Sequence, residues 1–264
     1  MRFVLLALSI LAPIAQACVE LSGEPIQGAL LWGRVAPSNQ VFLDDESLRV
    51  SGEGLFVLGF GRDETGTKTL RVTGEGACFV KLDIASREYT ISRVEGVPQR
   101  TVTPDPEHME RIRRERALVN NAKANTSDRT DFASGFEWPL TGRISGVYGS
   151  QRVYNGNPGS PHYGVDVARP TGTEVASPAY GVVTLAETDL FYSGGTIIID
   201  HGSQVSSSFL HLSDVSVAVG DRVEPGDVVG KVGATGRATG PHLDWRMSWR
   251  DRRVDPQLLV PPMP

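Results

Sequence analysis

The chain of 264 residues is 40% hydrophobic and 22% charged, so it carries enough apolar material for a core in one or two domains. Its formal net charge of -5 argues against nucleic acid as a principal partner. The 29 glycines and 17 prolines favour many turns over long helices, which excludes a helical bundle or a coiled coil and indicates β-rich structure.

The first seventeen residues have the organisation of a secretory signal peptide. A positive charge at Arg2 precedes an apolar run of about twelve residues, and Ala15-Gln16-Ala17 supplies the small-x-small end. The run is shorter than the roughly 20 residues of a transmembrane helix, and no other segment is apolar and long enough to span a bilayer. We therefore expect residues 1–17 to be removed on export, with no transmembrane span left in the mature chain.

The two cysteines fall in the first third of the chain, and Cys18 would begin the mature protein. In an oxidising compartment we expect a disulfide between Cys18 and Cys78. A loop of that size would stabilise the fold by roughly 4 kcal/mol in the chain-entropy description. Lipidation of Cys18, as in a bacterial lipoprotein, is the alternative, although the residues before it lack the Leu that usually accompanies that modification.

In chain order, residues 18–100 consist of short alternating runs broken by turns, which predict a small antiparallel β-sandwich. Residues 101–135 contain a connecting helix, from Glu107 to about Lys123, and a polar linker. Residues 136–264 form a second β-rich unit with frequent Gly and Pro. The predicted fold class is therefore predominantly all-β, with one helix between two β units.

Histidines and carboxylates recur together in the second unit. His242 and Asp244 are two apart, so a strand would point both to one face. His162 and Asp166 are four apart, and a bend near Gly164 would let both reach one centre. Histidine with carboxylates on several β elements suits a catalytic zinc site, which uses three protein ligands and one open position. The alternative is a set of unrelated histidines.

Longer motifs make this pattern specific. The segments HYGVDVARPTGTEVASPAYGVV, GGTIIIDHG, FLHLS and VAVGDRVEPGDVVGKVGATGRATGPHLDW follow one another in order. Together they resemble the M23 family of zinc metallopeptidases, the LytM or lysostaphin-like group, over roughly residues 138–256. The resemblance implies an antiparallel β groove, a Zn²⁺ cofactor, a peptidoglycan substrate whose stem or cross-bridge peptide bonds are hydrolysed, and a place in the periplasm or cell envelope of a bacterium.

The family's site residues map onto this sequence one by one. His162 and Asp166 match its HxxxD metal ligands, and His211 and His242 match its two catalytic histidines. The third ligand of the family is a histidine, and Asp244 occupies that position here. Because a carboxylate can also bind zinc, at about 2.0–2.2 Å, we expect a weaker or retuned site.

Three hypotheses follow. The first is an exported zinc metalloendopeptidase, in which Arg152 and Arg246 bind a substrate carboxylate. The second is a weak or inactive M23-like module that binds or regulates a partner cell-wall hydrolase. The third adds an intramolecular cover, in which the N-terminal domain lies over the groove. His201 is predicted to be structural because it sits in a turn after a buried strand, and His108 is predicted to lie on the surface of the connecting helix.

Overall fold

A computed structural model describes residues 19–94 and 106–263. The predicted signal peptide and Cys18 lie outside the described residues. The chain is mostly antiparallel β-sheet with one α-helix, which confirms the predicted fold class. Within the described ranges, no helix has the length and apolar character needed to cross a bilayer.

The first half contains two small antiparallel sheets. One is the pair β1–β4, and the other has the order β3-β2-β5-β6. The apolar sides of both sheets are buried in a core that continues without a break into the second half. The strands are β1 (Leu30–Arg34), β2 (Gln40–Leu43), β3 (Glu46–Leu48), β4 (Leu55–Gly59), β5 (Gly66–Thr73), β6 (Cys78–Ile84) and β7 (Ile91–Val94).

Helix α1 (Met109–Lys123) follows a short 3-10 turn at Pro106–His108, in agreement with the predicted connecting helix. Val119 and Ala122 pack against a small apolar cluster on two strands of the second half. Glu115 also accepts a hydrogen bond from the backbone N–H of Phe191. The helix is therefore fastened along the second β unit.

The second half is organised around a large sheet with the order β17-β13-β14-β15-β19-β11-β8, to which β20 adds beside β19. A smaller sheet has the order β12-β18-β16. The strands are β8 (Arg143–Gly146), β9 (Gln151–Tyr154), β10 (Asn157–Pro158), β11 (Val165–Ala168), β12 (Glu174–Ala176), β13 (Gly181–Leu190), β14 (Gly194–Asp200), β15 (Val205–Leu212), β16 (Asp214–Val215), β17 (Arg222–Val223), β18 (Val228–Lys231), β19 (Leu243–Trp249) and β20 (Arg252–Val254).

Strands β14 and β15 are buried along their whole length, because both faces of the large sheet are covered at its centre. Trp245 and Trp249 of β19 are among the largest fully buried side chains. Gly59 of the first half lies against Trp249, so close that an added Cβ would be 3.3 Å from its ring. The centre of the large sheet is thus a rigid base on which the strand ends are held.

One strand pairing crosses the predicted boundary between the two β units. Strand β7 pairs in parallel with β9, in the register Ile91 with Gln151 through Val94 with Tyr154. A parallel pair requires a long crossover connection, which the segment containing α1 supplies. The division into domains at 18–100, 101–135 and 136–264 stays a prediction, and the two outer units share a sheet.

Candidate metal site and its surroundings

Strand register brings two carboxylates face to face. Strand β11 pairs with β19 so that Asp166 lies opposite Asp244, and on its other side β11 pairs with β8 so that Asp166 lies opposite Gly146. Like charges directly opposite each other in a sheet are destabilising. A cation bound between the two facing carboxylates would therefore stabilise this part of the sheet.

His162 completes this cluster from the loop before β11. Its Nε2 atom lies 3.1 Å from Oδ1 of Asp166 and 3.7 Å from Oδ2 of Asp244. One ligand atom from each of the three residues lies within 4.8 Å of the others. Ligand atoms of a tetrahedral zinc site are about 3.3 Å apart when the bonds are about 2.0–2.1 Å long. The three side chains therefore have the spacing of a metal site.

Two buried atoms of this cluster face each other at 3.1 Å without an aligned hydrogen bond. Nε2 of His162 and Oδ1 of Asp166 have no aligned hydrogen bond among the described residues, although both are shielded from water. Leaving a buried polar atom unpaired costs about 1–3 kcal/mol, so native proteins rarely do it without a reason. The convergence of two such atoms on one point fits a bound metal ion.

Contacts outside the cluster orient His162 for this role. Its Nδ1 atom lies 3.3 Å from the carbonyl oxygen of Val147, which can only accept, so Nδ1 carries the proton. Nε2 is then the ring atom left to bind a metal ion at the point where the carboxylates meet. The backbone of His162 also donates to Ser150 O and accepts from Gly149 N, both at 2.8 Å. The imidazole is therefore held in the tautomer that a metal ligand requires.

Glycines leave room for both carboxylates. A Cβ added at Gly146 would lie 2.3 Å from Oδ2 of Asp166, and one added at Gly164 would lie 2.5 Å from Oδ1 of Asp244. Gly164 was expected to bend the chain, and its close approach to Asp244 is an additional reason for glycine there. Gly146 was missed, although a glycine inside a predicted strand often marks such an approach.

Asp244 has a second strong partner. Arg246 Nε lies 2.9 Å from its Oδ1 and 3.1 Å from its Oδ2, and Nη2 also donates to Oδ2. Burial opposes ionisation of Asp244, but Arg246 and His162 hold the pKa of its carboxyl well below the usual range. The Asp244–Arg246 pair carries no net charge, as a histidine ligand at this position would carry none.

The electrostatics of His162 also favour a cation. Burial opposes a charge on the imidazole, but the Asp166 and Asp244 carboxylates outweigh burial and raise the pKa of His162 to about 10. The two carboxylates thus attract positive charge strongly to the point where the ligand atoms meet. A proton or a metal ion satisfies that demand.

His211 and His242 lie next to the cluster with their rings 4.9 Å apart. Nδ1 of His211 donates to Thr235 O at 2.8 Å, and Nδ1 of His242 donates to Gly240 O at 2.7 Å. In the neutral form each ring therefore carries its lone pair on Nε2, and Nε2 of His242 lies 3.9 Å from Oδ1 of Asp166. Burial lowers the pKa of His211, which keeps it neutral at pH 7.

A β-bulge sets the direction of the His211 side chain. Between β14 and β15 the register runs from Ile197–Phe209 to Gly195–Leu212, so Leu210 and His211 together oppose one residue. His211 has φ 66°, a left-handed conformation that a residue other than glycine rarely adopts. Such bulges redirect side chains next to functional sites. The strain at His211 therefore has a structural purpose.

The two arginines predicted to bind substrate lie in different environments. Arg246 already holds the carboxylate of Asp244, because residues two apart on β19 share a face. Arg152 is exposed on β9 and makes no ion pair within the described parts of the chain. Neither location tests the predicted role in substrate binding. Cys18 lies outside the described residues, so the Cys18–Cys78 disulfide also stays a prediction.

Comparisons of the sequence and of the structure with known proteins indicate the same family. Residues 160–256 match the sequence model of Peptidase family M23. A crystal structure of a candidate peptidase M23 from Pseudomonas aeruginosa is 31% identical with a TM-score of 0.69, over 90% of this chain and 95% of that chain.

Two curated proteins match shorter stretches. Peptidoglycan DD-endopeptidase ShyA of Vibrio cholerae is 38% identical over 104 residues, which are 39% of this chain and 24% of that protein. Cell division protein DipM of Caulobacter vibrioides is 30% identical over 155 residues, or 55% of this chain and 24% of that protein. The chain spans about a quarter of the length of these relatives. The crystal structure, matched over nearly its whole length, decides the assignment: this chain belongs to peptidase family M23.

Proposed function

We propose that this chain is an exported metalloendopeptidase that hydrolyses peptide bonds of bacterial peptidoglycan at a zinc site formed by His162, Asp166 and Asp244. The observation that carries the proposal is the convergence of His162 Nε2 and Asp166 Oδ1, two buried atoms with no aligned hydrogen bond, beside the Asp244 carboxylate. Peptidoglycan as substrate is supported by the similarity to ShyA, which is a peptidoglycan endopeptidase. The signal peptide predicted at residues 1–17 would deliver the chain to the periplasm or cell envelope, where that substrate lies.

The donor set fits the proposed ion. One imidazole and two carboxylates are ligand types that zinc accepts in catalytic sites, where three protein ligands leave one position open. When bound, zinc polarises a carbonyl group and lowers the pKa of water to near 7. The chain's own residues hold that centre, exchange protons beside it and keep the charge balanced.

His211 and His242 supply the proton transfers in this proposal. In the neutral form both carry a free lone pair on Nε2, because their Nδ1 protons are donated to backbone carbonyls. The lowered pKa of His211 keeps that lone pair available at pH 7, so it can accept a proton from the attacking water. Once protonated, the same Nε2 becomes a donor that can stabilise a developing oxyanion or protonate the departing amine.

Arg246 acts as a positioning residue. Its two-pronged contact orients the Asp244 carboxylate and keeps it ionised. A carboxylate has lone pairs enough to accept from Arg246 and still bind a metal. Because Arg246 neutralises Asp244, the proposed site has the same net charge as the family's set of two histidines and one aspartate.

The experiment combines metal analysis with an assay on cell walls. Purified mature protein is expected to contain about one zinc per chain and to release muropeptides with newly exposed amino groups, detected by mass spectrometry. Chelation should stop the release, and added zinc should restore it. Protein that binds no zinc and releases nothing at high concentration would overturn the proposal.

A second function is favoured by one observation, the commitment of Asp244 to Arg246. If Arg246 outcompetes the metal, the chain would be a weak or inactive module that binds or regulates another cell-wall hydrolase. His162→Ala separates the two functions in cells. An enzyme loses its cellular effect with this substitution, whereas a regulator keeps it.

A further inference from the structure

A cavity of about 350 Å³ opens beside His211, on the face of the large sheet that helix α1 covers. Its walls come from α1, from the turn after β13, from the loop between β18 and β19, and from strands β14, β15, β19 and β20. The polar lining includes Lys123, Ser208, His211, Arg237, Arg246 and Arg253. Because His211 is part of the wall, a ligand in this cavity would lie next to the proposed reaction centre.

Strand register explains why these groups share one face. Ser208 of β15 lies opposite Arg246 of β19, and Arg253 of β20 lies opposite Ser248. Residues 246 and 248 are two apart on one strand and point the same way. Lys123, in the last turn of α1, meets this face from above.

The cavity has an excess of positive charge. Four cationic side chains line it, and none of the described lining residues is acidic. Arg246 is paired with Asp244, but the half-buried Lys123 and Arg253 make no ion pair or side-chain hydrogen bond among residues 19–94 and 106–263. Arg237 contacts the ring of Tyr192 with its guanidinium 4.7 Å from the ring centre, and it has no acidic partner in the same ranges.

This charge excess is unfavourable without a ligand. Burial, together with the nearby Arg253 and Arg246, holds the pKa of Lys123 well below its usual value, and Asp244 offsets only part of that effect. Burial and Arg246 likewise lower the pKa of Arg253. Partly buried cations near one another are stabilised when an anion enters between them.

A second, independent feature is the hydroxyl group of Ser208. The residue is 4% exposed, and its Oγ is buried without a hydrogen-bond partner among the described residues. A serine hydroxyl donates one hydrogen bond, and a carboxylate oxygen is a good acceptor. The cavity therefore offers an unused donor as well as unpaired cations.

We propose that this cavity binds a free carboxylate of the peptide substrate, close to the bond that is cleaved. The proposal rests on the proposed function, since it deepens the same site by naming a chemical feature of the substrate. Charge-assisted hydrogen bonds from Lys123 and Arg253, and a neutral one from Ser208, would hold the carboxylate. Lys123 lies outside the stretch that matches the family model, residues 160–256, so this specificity belongs to the connecting helix of this chain.

The test uses two synthetic cell-wall peptides that are identical except at one carboxylate beside the scissile bond, which is free in one and a carboxamide in the other. Binding to the chelator-treated full chain is measured by calorimetry, so that no cleavage is needed. The free acid is expected to bind about tenfold more tightly. Equal affinity of the two peptides for the wild-type protein would overturn the proposal, whether or not any variant folds.

Variants locate the effect. Lys123→Met combined with Arg253→Met should abolish the preference for the free acid, and a preference that survives in this double variant would contradict the assignment. Arg222→Gln is the matched control, because Arg222 is an exposed arginine of β17, opposite Val182 near the start of β13, and it has no ion pair among residues 19–94 and 106–263. It should keep the wild-type preference.

Cleavage assays on the same peptides separate the two proposals. Zinc-loaded protein that cleaves both peptides equally, without a difference in binding, would leave the proposed function standing and remove the carboxylate site. A difference in binding without any cleavage would remove the proposed function and leave the cavity as a carboxylate-binding site.

Discussion

The histidine–aspartate clusters around His201 and around His162 differ in how their polar atoms are satisfied. Fully buried His201 donates from Nδ1 to Tyr180 O at 2.7 Å and accepts from Ser207 Oγ at 2.8 Å. The neighbouring Asp200 accepts from Arg129 Nη2 at 2.7 Å and from further donors around it. Every polar atom of these two side chains is therefore used within the fold.

The cluster around His162 has the opposite character. Nε2 of His162 and Oδ1 of Asp166 lack aligned partners, and two carboxylates face each other across neighbouring strands. A histidine beside an aspartate is thus structural when its hydrogen bonds are complete, and it indicates a ligand when they are not. The contrast can be tested by changing one cluster at a time.

The largest effect on folding is expected from His201→Ala. The change leaves Tyr180 O and Ser207 Oγ without their partner and opens a cavity against Phe136, whose ring centre lies 5.2 Å away. We expect the free energy of unfolding, measured in urea, to fall by about 3 kcal/mol. Zinc affinity of the folded protein should stay within a factor of about two, because the substitution leaves the cluster around His162 intact. Loss of zinc at unchanged stability would break the contrast between the two clusters.

Gly146→Ala should act mainly on the metal. Its new methyl group would collide with Oδ2 of Asp166, so the carboxylate must move away from His162. We expect zinc affinity, measured by competition with a chelator, to fall roughly thirtyfold, as for a misplaced ligand. Gly61→Ala is the control, because an added Cβ there meets nothing within 4 Å. Equal affinities of the two variants would show that the close approach is irrelevant.

Asp244→His tests the charge balance. The substitution installs the ligand type of the family, but it leaves the Arg246 guanidinium without its carboxylate beside the metal. We expect zinc affinity to fall about tenfold and to recover when Arg246→Gln is added, because repulsion between the two cations is then removed. Calorimetric titration of the two variants provides the comparison. A single variant that binds zinc as tightly as the double one would mean that Arg246 does not compensate for Asp244.

The smallest effect is expected from pH. Burial lowers the pKa of His201 below its ordinary value of 6.5, so the unfolded chain binds a proton first as the pH falls. The stability contributed by neutral His201 is therefore complete above about pH 6.5 and is lost below it. Between pH 7 and 5.5, in saturating zinc, wild-type stability should fall by about 1 kcal/mol more than that of His201→Gln. If the stability of the two proteins fell equally with pH, His201 would not be the buried neutral histidine responsible for the effect.

Much of the site could be predicted from the sequence. The order of the motifs predicted a β fold with His162, Asp166 and Asp244 at one place, and the structure brings the three together. The alternation of side chains along β19 was applied to His242 and Asp244, but the same rule also places Arg246 beside Asp244. The ion pair was missed because Arg246 was assigned to a substrate carboxylate, and the carboxylate of Asp244 was not considered as its partner.

Other features had no local signal. Lys123 belongs to a helix rich in charged residues, and only the packing of Val119 and Ala122 on the second β unit turns it toward the cavity. The pairing of β7 with β9 joins two short strands, and neither run of residues reveals its partner. Long-range pairings of this kind depend on the whole topology.

The pairing of β7 with β9 also determines when the site can assemble during synthesis of the chain. Ile91–Val94 leave the ribosome sixty residues before Gln151–Tyr154, which corresponds to roughly 3–12 s of synthesis. The loop between β10 and β11 carries His162, whose backbone hydrogen bonds to Gly149 and Ser150 require the segment just before β9 to be in place. Asp244 is made later still. The cluster of His162, Asp166 and Asp244 can therefore form only when the chain is almost complete, and a fragment beginning near residue 136 would lack the strand against which β9 docks.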